Sequence, residues 1–335
     1  MELCHSLSQK LWDPEGDLIV RSITRTAAFR IDSARLFEET NVGHPLIQHF
    51  VTVNESEGCR ETELDGNDLE VFYFLMALYK FGELCNIEDG APPFLAALDM
   101  AAKYGACCIA VPLLDKLCFW FPLDLEAWDN YWNSDECVWE LAEDKTFRCV
   151  MSLDAARIFR SVGALALLPA ALLRCCEQPD SHILEGYRSG DGILHSIDED
   201  SKNIVRPAAH VLTGVAQTSM FPYVFQRAGA CKSAECAATL AELHALWRRE
   251  SRNDFVNPVK CIFEQDWAFV KSGLCEPCYE GLSSVYGIAR KAVWKSLPHV
   301  FGLYGGVPPA SEAVVSNRVL AALEDYNADT LRAER

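Results

Sequence analysis

Apolar residues dominate two stretches in the first third of the chain, at spacings that predict α-helices. Residues 69–79 are apolar on almost every face, and a helix of this kind must be enclosed by other elements because a surface helix keeps one polar face. A second helix is predicted over residues 94–104, after the stop signals at 89–93 and before Gly105. The pattern therefore predicts a helical hairpin packed against other elements, which favours a scaffold over a reactive centre.

Short alternations of apolar and polar residues before this hairpin predict strands. In residues 27–31, Phe29 and Ile31 share one face. A short helix is predicted at 33–39, and the polar residues 54–63 are interpreted as a loop. Strands followed by helices indicate an α+β fold. The predicted strands are residues 17–22, 27–31 and 49–53.

Helical patterns dominate the remainder of the chain. Pro112 and Pro222 are expected to interrupt two of these helices, and Pro298 to end a third, because proline lacks the N–H donor and clashes with the preceding turn. The polar, turn-rich residues 177–206 are interpreted as a domain boundary or a mobile connection. The predicted helical stretches are residues 107–119, 121–176, 208–226 and 312–323.

Three tryptophans lie close together in the sequence, at Trp128, Trp132 and Trp139. The first interpretation is that they pack between helices. The alternative is a peptide-binding groove that they line, since tryptophan is enriched at protein interfaces.

The charge of the chain is unevenly distributed. Its 335 residues carry a formal charge of −18, of which residues 1–150 hold −16 and residues 151–335 hold −2. An acidic half repels phosphate backbones, so we expect no nucleic-acid binding through it. Half of the residues are hydrophobic, which is typical of a globular protein.

The cellular location of the protein is predicted from its apolar segments. The first residues lack the basic-then-apolar pattern of a secretory signal, and apolar stretches such as 162–173 are too short to span a bilayer. We therefore expect an intracellular protein, in the cytoplasm or the nucleus, with no membrane partner. In that reducing environment its 15 cysteines are expected to be free thiols or metal ligands rather than disulfides.

Two closely spaced cysteine pairs form the one arrangement with coordination chemistry. Cys231 and Cys236 open a predicted helix, and Cys275 and Cys278 open another at residues 279–297. Two such pairs at helix starts suit a tetrahedral Cys₄ zinc site, and a helix N-terminus favours thiolates over thiols. Four ordinary thiols are the competing interpretation, and Cys261, which lies between the pairs, could replace one ligand.

The N-terminal elements resemble the opening of a BTB/POZ domain, and their order is similar to that of the divergent BTB proteins of mushroom-forming fungi. The resemblance covers roughly residues 13–120, and it departs from the family at Asp32, where a histidine is usual. A C-terminal signature extends the likeness to residues 228–304. The residues that carry it are Gly16–Ser22, Phe29–Asp32 with Leu36, Leu69…Phe74–Leu75…Leu78–Tyr79, Leu95…Leu98–Tyr104, Cys231, Cys236, Leu274–Cys275…Cys278 and Trp294…Leu297–Pro298…Phe301–Gly302–Leu303.

The resemblance implies a non-enzymatic protein–protein interaction module. Such domains self-associate as homodimers, act as adaptors for cullin-based ubiquitin ligases, or take part in transcriptional complexes. The expected organisation is a BTB/POZ-like domain at residues 13–120, a helical region with a polar connection at 121–206, a helical domain with paired cysteines at 207–304, and a tail with a terminal helix at 305–335.

The common catalytic motifs do not occur in this sequence. The sequence contains no glycine-rich phosphate loop, no H-E-x-x-H and no G-x-S-x-G. His195, near Asp191 and Asp198, is the best single candidate, although its polar surroundings favour a solvated side chain. We therefore expect no catalytic residues. The alternative function is a metal- or thiol-dependent enzyme centred on the four C-terminal cysteines.

Overall fold

In the computed structural model, the chain forms two compact units. Unit 1 comprises Met1–Trp120 and Ile158–Ala164, and unit 2 comprises Phe121–Arg157 and Leu165–Arg335. A small sheet and a mainly helical C-terminal part confirm the α+β fold class. The described residues are 7–41, 54–56, 59–87, 90–132, 145–190, 192–225, 231, 233–250, 255–259, 267–304 and 309–333.

Unit 1 is a four-stranded mixed sheet with helices. The sheet order is β2–β1–β4–β3, in which β1 is antiparallel to β2 and parallel to β4, and β3 is antiparallel to β4. The predicted strands at 17–22 and 27–31 and the helix at 33–39 are confirmed, while the strand at 49–53 falls outside the described residues. The elements are β1 Leu18–Ser22, β2 Ala28–Ile31, α1 Ser33–Glu39, β3 Asn54–Ser56, β4 Cys59–Leu64, α2 Asp68–Tyr79, α3 Phe81–Leu84, α4 Pro92–Tyr104 and α5 Cys107–Leu117.

The interpretation of residues 54–63 as a loop is wrong, because they form most of β3 and β4. Strand β4 alternates charged residues with the buried Thr62 and Leu64. Its charges are neutralised by residues at or beside the neighbouring strand β1, so a polar segment can occupy an inner position of the sheet. The ion pairs are Arg21–Glu61, Arg25–Glu63 and Arg60–Asp17.

Helix α2 confirms the prediction of an enclosed apolar helix, with seven of its residues buried. A capping box begins it: the Asn67 side chain accepts hydrogen bonds from the Leu69 and Glu70 backbone N–H groups, and the Glu70 carboxylate accepts one from the Asn67 N–H. Helix α4 packs beside α2 and ends at Gly105, whose φ of 67° is the left-handed conformation that glycine adopts without strain. The hairpin is therefore fixed at both ends.

Asp17 joins the first strand to helix α1. Its carboxylate accepts hydrogen bonds from the Ser33 backbone N–H (2.7 Å) and hydroxyl (2.8 Å) and pairs with Arg60. Burial alone would raise the pKa of Asp17, but the bonds from Ser33 and Arg60 outweigh it and lower the pKa to about 2. Asp32 caps α1 by accepting a hydrogen bond from the Ala34 N–H.

Helix α5 continues through Pro112, so the predicted interruption there is wrong. The proline removes the donor that would bond the Cys108 carbonyl one turn earlier. Cys108 is exposed, and water can occupy that carbonyl instead. The buried face of α5 is formed by Ile109, Leu113 and Leu117.

The described residues of unit 2 form helices and one short hairpin. The helical prediction for 121–176 is confirmed in the described part of that stretch, and the segment 177–206 contains α9, the hairpin and the start of α10. The elements are α6 Leu125–Trp132, α7 Lys145–Ser161 (which ends in unit 1), α8 Leu168–Cys176, α9 Asp180–Glu185, β5 Tyr187–Arg188, β6 Leu194–His195, α10 Glu199–Val215, a π-helical turn Ala216–Met220, α11 Phe221–Val224, α12 Ala234–Glu250, α13 Trp267–Gly273, α14 Glu276–Val300 and α15 Glu312–Ala333.

Two buried arginines organise the aromatic core of unit 2. The Arg174 guanidinium lies over the rings of Tyr131 (4.7 Å), Trp128 (5.5 Å) and Phe121 (5.6 Å), an arrangement of cation–π contacts. Trp128 is fully buried and lies 5.4 Å from the Trp294 ring, which confirms packing for this tryptophan. The side chain of Trp132 and the whole of Trp139 lie outside the described residues.

Arg290 makes the second buried cationic contact. Its guanidinium pairs with both carboxylate oxygens of Asp129, and its Nε donates to the Val259 carbonyl at 2.7 Å. These bonds connect α14 to α6 and to the segment before α13.

The predicted interruption at Pro222 is wrong, because α10, the π turn and α11 follow one another without a break. A π turn shifts the backbone hydrogen bonds by one residue, and it lies directly before the helix that contains this proline. Helix α14 likewise passes Pro298 and ends at Val300, after which Gly302 adopts a φ of 60°. The predicted terminal helix is confirmed as α15, with Val315 and Val319 on its buried face.

Across the described ranges, every helix is too short or too polar to cross a membrane.

Candidate metal centre

The two cysteine pairs occupy corresponding positions at the starts of two helices of unit 2. Cys236 and Cys278 are each the third residue of their helix, α12 and α14, while Cys231 and Cys275 lie just before those helices. Cys275 is the N-cap residue of α14, with extended backbone angles, and Pro277 follows in the first turn, where its missing N–H has no helical partner to lose. Local helix geometry thus presents each pair at a helix N-terminus.

The structure brings all four predicted ligands together. The four Sγ atoms lie within 4.8 Å of one another, and those of Cys231 and Cys275 are 3.6 Å apart. A tetrahedral zinc centre with Zn–S bonds of about 2.3 Å places its sulfurs about 3.8 Å apart, so the spacing matches such a centre. Cys261, the alternative ligand, lies outside the described residues.

Backbone N–H groups donate to two of the four sulfurs. The Cys275 N–H donates to Cys236 Sγ at 3.1 Å, and the Ser233 N–H donates to Cys231 Sγ at 3.4 Å. The Cys275 N–H bond is the largest effect on Cys236, and it lowers the pKa of that thiol to about 7. Thiolates are the form that binds zinc, and the two helix N-termini add further positive potential.

Helix α13 positions the second pair. The Thr239 hydroxyl of α12 donates to the Gly273 carbonyl at the end of α13, at 3.1 Å. A Cβ on Gly273 would lie 2.9 Å from the Thr239 side chain, so glycine permits this close approach. Leu274 is buried directly afterwards, and Cys275 follows it. The sulfurs are therefore held by contacts among three helices.

The chemistry of the centre follows from its ligand count. Four thiolates fill a tetrahedral zinc and leave no position for water or substrate, which is the arrangement of structural sites. Cys236 and Cys278 are buried, whereas Cys231 and Cys275 are half-buried. The structure therefore supports a closed centre with one side near the surface.

His195 is not a solvated residue, so that interpretation is wrong. Its Nδ1 lies 2.8 Å from an Asp154 carboxylate oxygen, and its Nε2 lies 3.1 Å from the Ser189 hydroxyl. The same hydroxyl bonds the Ile193 carbonyl at 3.1 Å, so the cluster closes the β5–β6 hairpin and fastens it to α7. Asp198 caps α10 through Ser201, and Asp191 lies outside the described residues. Asp154 is 41 residues from His195, and no local sequence signal links them.

A cysteine and a histidine of unit 2 are also in contact, at a partly buried position. Cys149 Sγ lies 3.2 Å from His182 Nδ1 on α9. Burial raises the pKa of Cys149 to about 11, so this sulfur is a neutral thiol rather than a nucleophile. The contact serves packing.

The chain was compared with protein-family models, with curated proteins and with solved structures, and none of them matches it. The geometry of the centre is therefore the basis of the function proposed for it.

Proposed function

We propose that the chain is a non-enzymatic interaction protein, with a BTB/POZ-like domain in unit 1 and a helical unit 2 stabilised by one structural zinc. The observation that supports the zinc site is that four cysteine sulfurs lie within 4.8 Å of one another. The interaction role follows from the resemblance, and the order of elements in unit 1 supports it.

The secondary structure of unit 1 supports the proposed BTB/POZ-like domain. The family-like residues fall in β1, β2 and α1 and then in the packed helices α2 and α4. The family usually has a histidine at the position of Asp32. In this chain, Asp17, Ser33 and Arg60 connect the first strands to α1, which compensates for that departure.

The proposed roles are those that the resemblance implies. Unit 1 would bind a second copy of the chain or a protein partner, as an adaptor for a cullin-based ubiquitin ligase or in a transcriptional complex. Unit 2 would present a second surface, whose shape depends on the link between the starts of α12 and α14. The acidic first half of the chain argues against nucleic acid as the partner.

The alternative, an enzyme centred on the cysteines, requires an open coordination position. X-ray absorption at the zinc edge of the purified full chain separates the two. Four sulfur neighbours at about 2.3 Å support the structural centre, whereas three sulfurs with an oxygen or nitrogen neighbour would favour the enzyme.

The interaction role is tested on the full chain. Light scattering after size-exclusion chromatography measures self-association, and affinity purification from the native host with mass spectrometry identifies partners. Val111 is 63% exposed on α5 and serves as the probe, with Val314, which is 44% exposed on α15, as the matched control. We expect V111E to lose the second copy or partner that the wild type and V314E retain. A monomer at micromolar concentration whose interactions are the same in all three proteins would overturn the proposal.

A further inference from the structure

The four sulfurs of the centre differ in their access to solvent. Cys236 and Cys278, each in the first turn of a helix, are 2% and 1% exposed. Cys231 and Cys275, each before its helix, are half-buried. The two accessible sulfurs also lie in direct contact, 3.6 Å apart, although 44 residues separate them in the chain. A small oxidant therefore meets two adjacent sulfurs that belong to different segments.

We propose that the centre is an oxidation-responsive link, in which a peroxide joins Cys231 to Cys275 by a disulfide and the zinc is released. This inference rests on the zinc proposed above. The accessible pair is the site of modification, the buried pair completes the metal site, and hydrogen peroxide is the co-reactant.

The reaction balances in two steps. One accessible thiolate attacks a peroxide oxygen, so that an S–O bond forms, the O–O bond breaks, and the departing hydroxide takes a proton to become water. The second thiolate attacks that sulfenic sulfur, so that the S–S bond forms and the S–O bond breaks, and the second hydroxide also leaves as water. Two electrons pass from the two sulfurs to the peroxide, and two protons are consumed. The two remaining cysteines are too few to retain the metal.

Distance and access favour this pair over the others. The two sulfurs must close from 3.6 Å to about 2.05 Å, which a small movement of the segments before α12 and α14 provides. Cys278 competes for Cys275, because the two flank Glu276 and Pro277. Its sulfur is buried, however, and peroxide reaches Cys231 and Cys275 first.

The consequence is that the same two segments stay connected in both redox states. In the reduced protein, zinc–sulfur bonds connect the starts of α12 and α14. In the oxidised protein, the Cys231–Cys275 disulfide connects them. A chelator applied to the reduced protein removes the link altogether. Oxidised, metal-free protein should therefore keep the folded structure of unit 2 that chelated, reduced protein loses.

The test uses the full chain loaded with zinc. Hydrogen peroxide is titrated while a colorimetric zinc indicator records release, and the products are digested with trypsin without reduction. Lys232 lies between Cys231 and Cys236, so trypsin separates them, and tandem mass spectrometry distinguishes Cys275 from Cys278. We expect one equivalent of zinc released, a Cys231–Cys275 peptide, and reversal by dithiothreitol with added zinc. In C107S, which removes an exposed thiol of unit 1, release should proceed at the wild-type rate.

The outcomes separate this inference from the proposed function. A full chain that binds no zinc even after reconstitution overturns both. Zinc that is bound but not released by peroxide overturns the inference alone, and so does a product in which Cys275 is joined to Cys278, Cys236 or Cys261. A Cys231–Cys275 product whose unit 2 unfolds as completely as the chelated protein contradicts the retained link.

Discussion

The ion pair between Arg290 and Asp129 gives the sharpest prediction for stability. Arg290 is buried, and its guanidinium binds both oxygens of Asp129 and the Val259 carbonyl. Removing one partner of a buried pair costs about 3–5 kcal/mol, because the other charge is left without a partner in a poorly hydrated site. The Asp129 side chain keeps 30% exposure, so we take the lower end, about 3 kcal/mol, for Arg290→Met.

The double variant tests the reasoning behind this magnitude. Asp129→Leu leaves a buried guanidinium and should also cost about 3 kcal/mol. In Arg290→Met with Asp129→Leu no charge is left alone, and the main remaining loss is the donor to the Val259 carbonyl, about 1–2 kcal/mol. The double variant should therefore be more stable than either single variant.

Thermal unfolding of the full chain provides the assay, with hydrogen exchange of α6 and α14 to assign the transition to unit 2. A loss of about 3 kcal/mol lowers the Tm by about 6–12 °C for a unit of this size. Lys291→Met, at an exposed neighbour on α14, is the control and should change little. Additive losses in the double variant would refute the view that an isolated buried charge is the source of the cost.

Three further predictions concern the cysteines, Asp17 and Gly105. Cys275→Ser with Cys278→Ser should abolish zinc binding in elemental analysis and lower the Tm of unit 2, whereas Cys107→Ser with Cys108→Ser should retain the metal. The lowered pKa of Asp17, about 2 against 3.8, means that its stabilisation of unit 1 is complete above pH 3.8 and is lost as pH falls through about 2. The stability difference between the wild type and Asp17→Asn, measured by urea unfolding, should therefore shrink over that interval, and a constant difference would contradict the assignment. Gly105→Ala should destabilise unit 1 by about 1 kcal/mol or more, because alanine is strained at a φ of 67° and its Cβ would collide with Asn41. The control is Gly82→Ala, which should be neutral or stabilising because no atom lies within 4 Å of the added Cβ. Equal Tm shifts for the two glycine variants would rule out backbone strain as the cause.

Local signals account for the parts of the fold that the sequence predicts. The capping residues Asn67 and Glu70 and the terminal Gly105 each act within one helical turn, so the start of α2 and the end of α4 are visible in the sequence. The cysteine positions were also predictable, because Cys231 with Cys236 and Cys275 with Cys278 are each set by the start of one helix.

The features that sequence reasoning missed depend on partners distant in the chain. The sequence of β4 is typical of a polar loop. It forms a strand because Arg21 and Arg25, about 40 residues earlier in the chain, neutralise Glu61 and Glu63. His195 likewise depends on Asp154. The proline predictions at Pro112 and Pro222 failed for another reason: a helix can leave one carbonyl to water or shift its hydrogen bonds through a π turn.

The parallel pairing of β1 with β4 has a consequence for folding during synthesis on the ribosome. Leu18 of β1 pairs with Arg60 of β4, so β1 is synthesised 42 residues before the strand that it pairs with in parallel. At translation rates of about 5–20 residues per second, this leaves a delay of about 2–8 s. During it, the early β1–β2 ribbon offers an unpaired edge to other nascent chains. Slower elongation before codon 64 should therefore increase the demand for chaperones, whereas slower elongation after it should not.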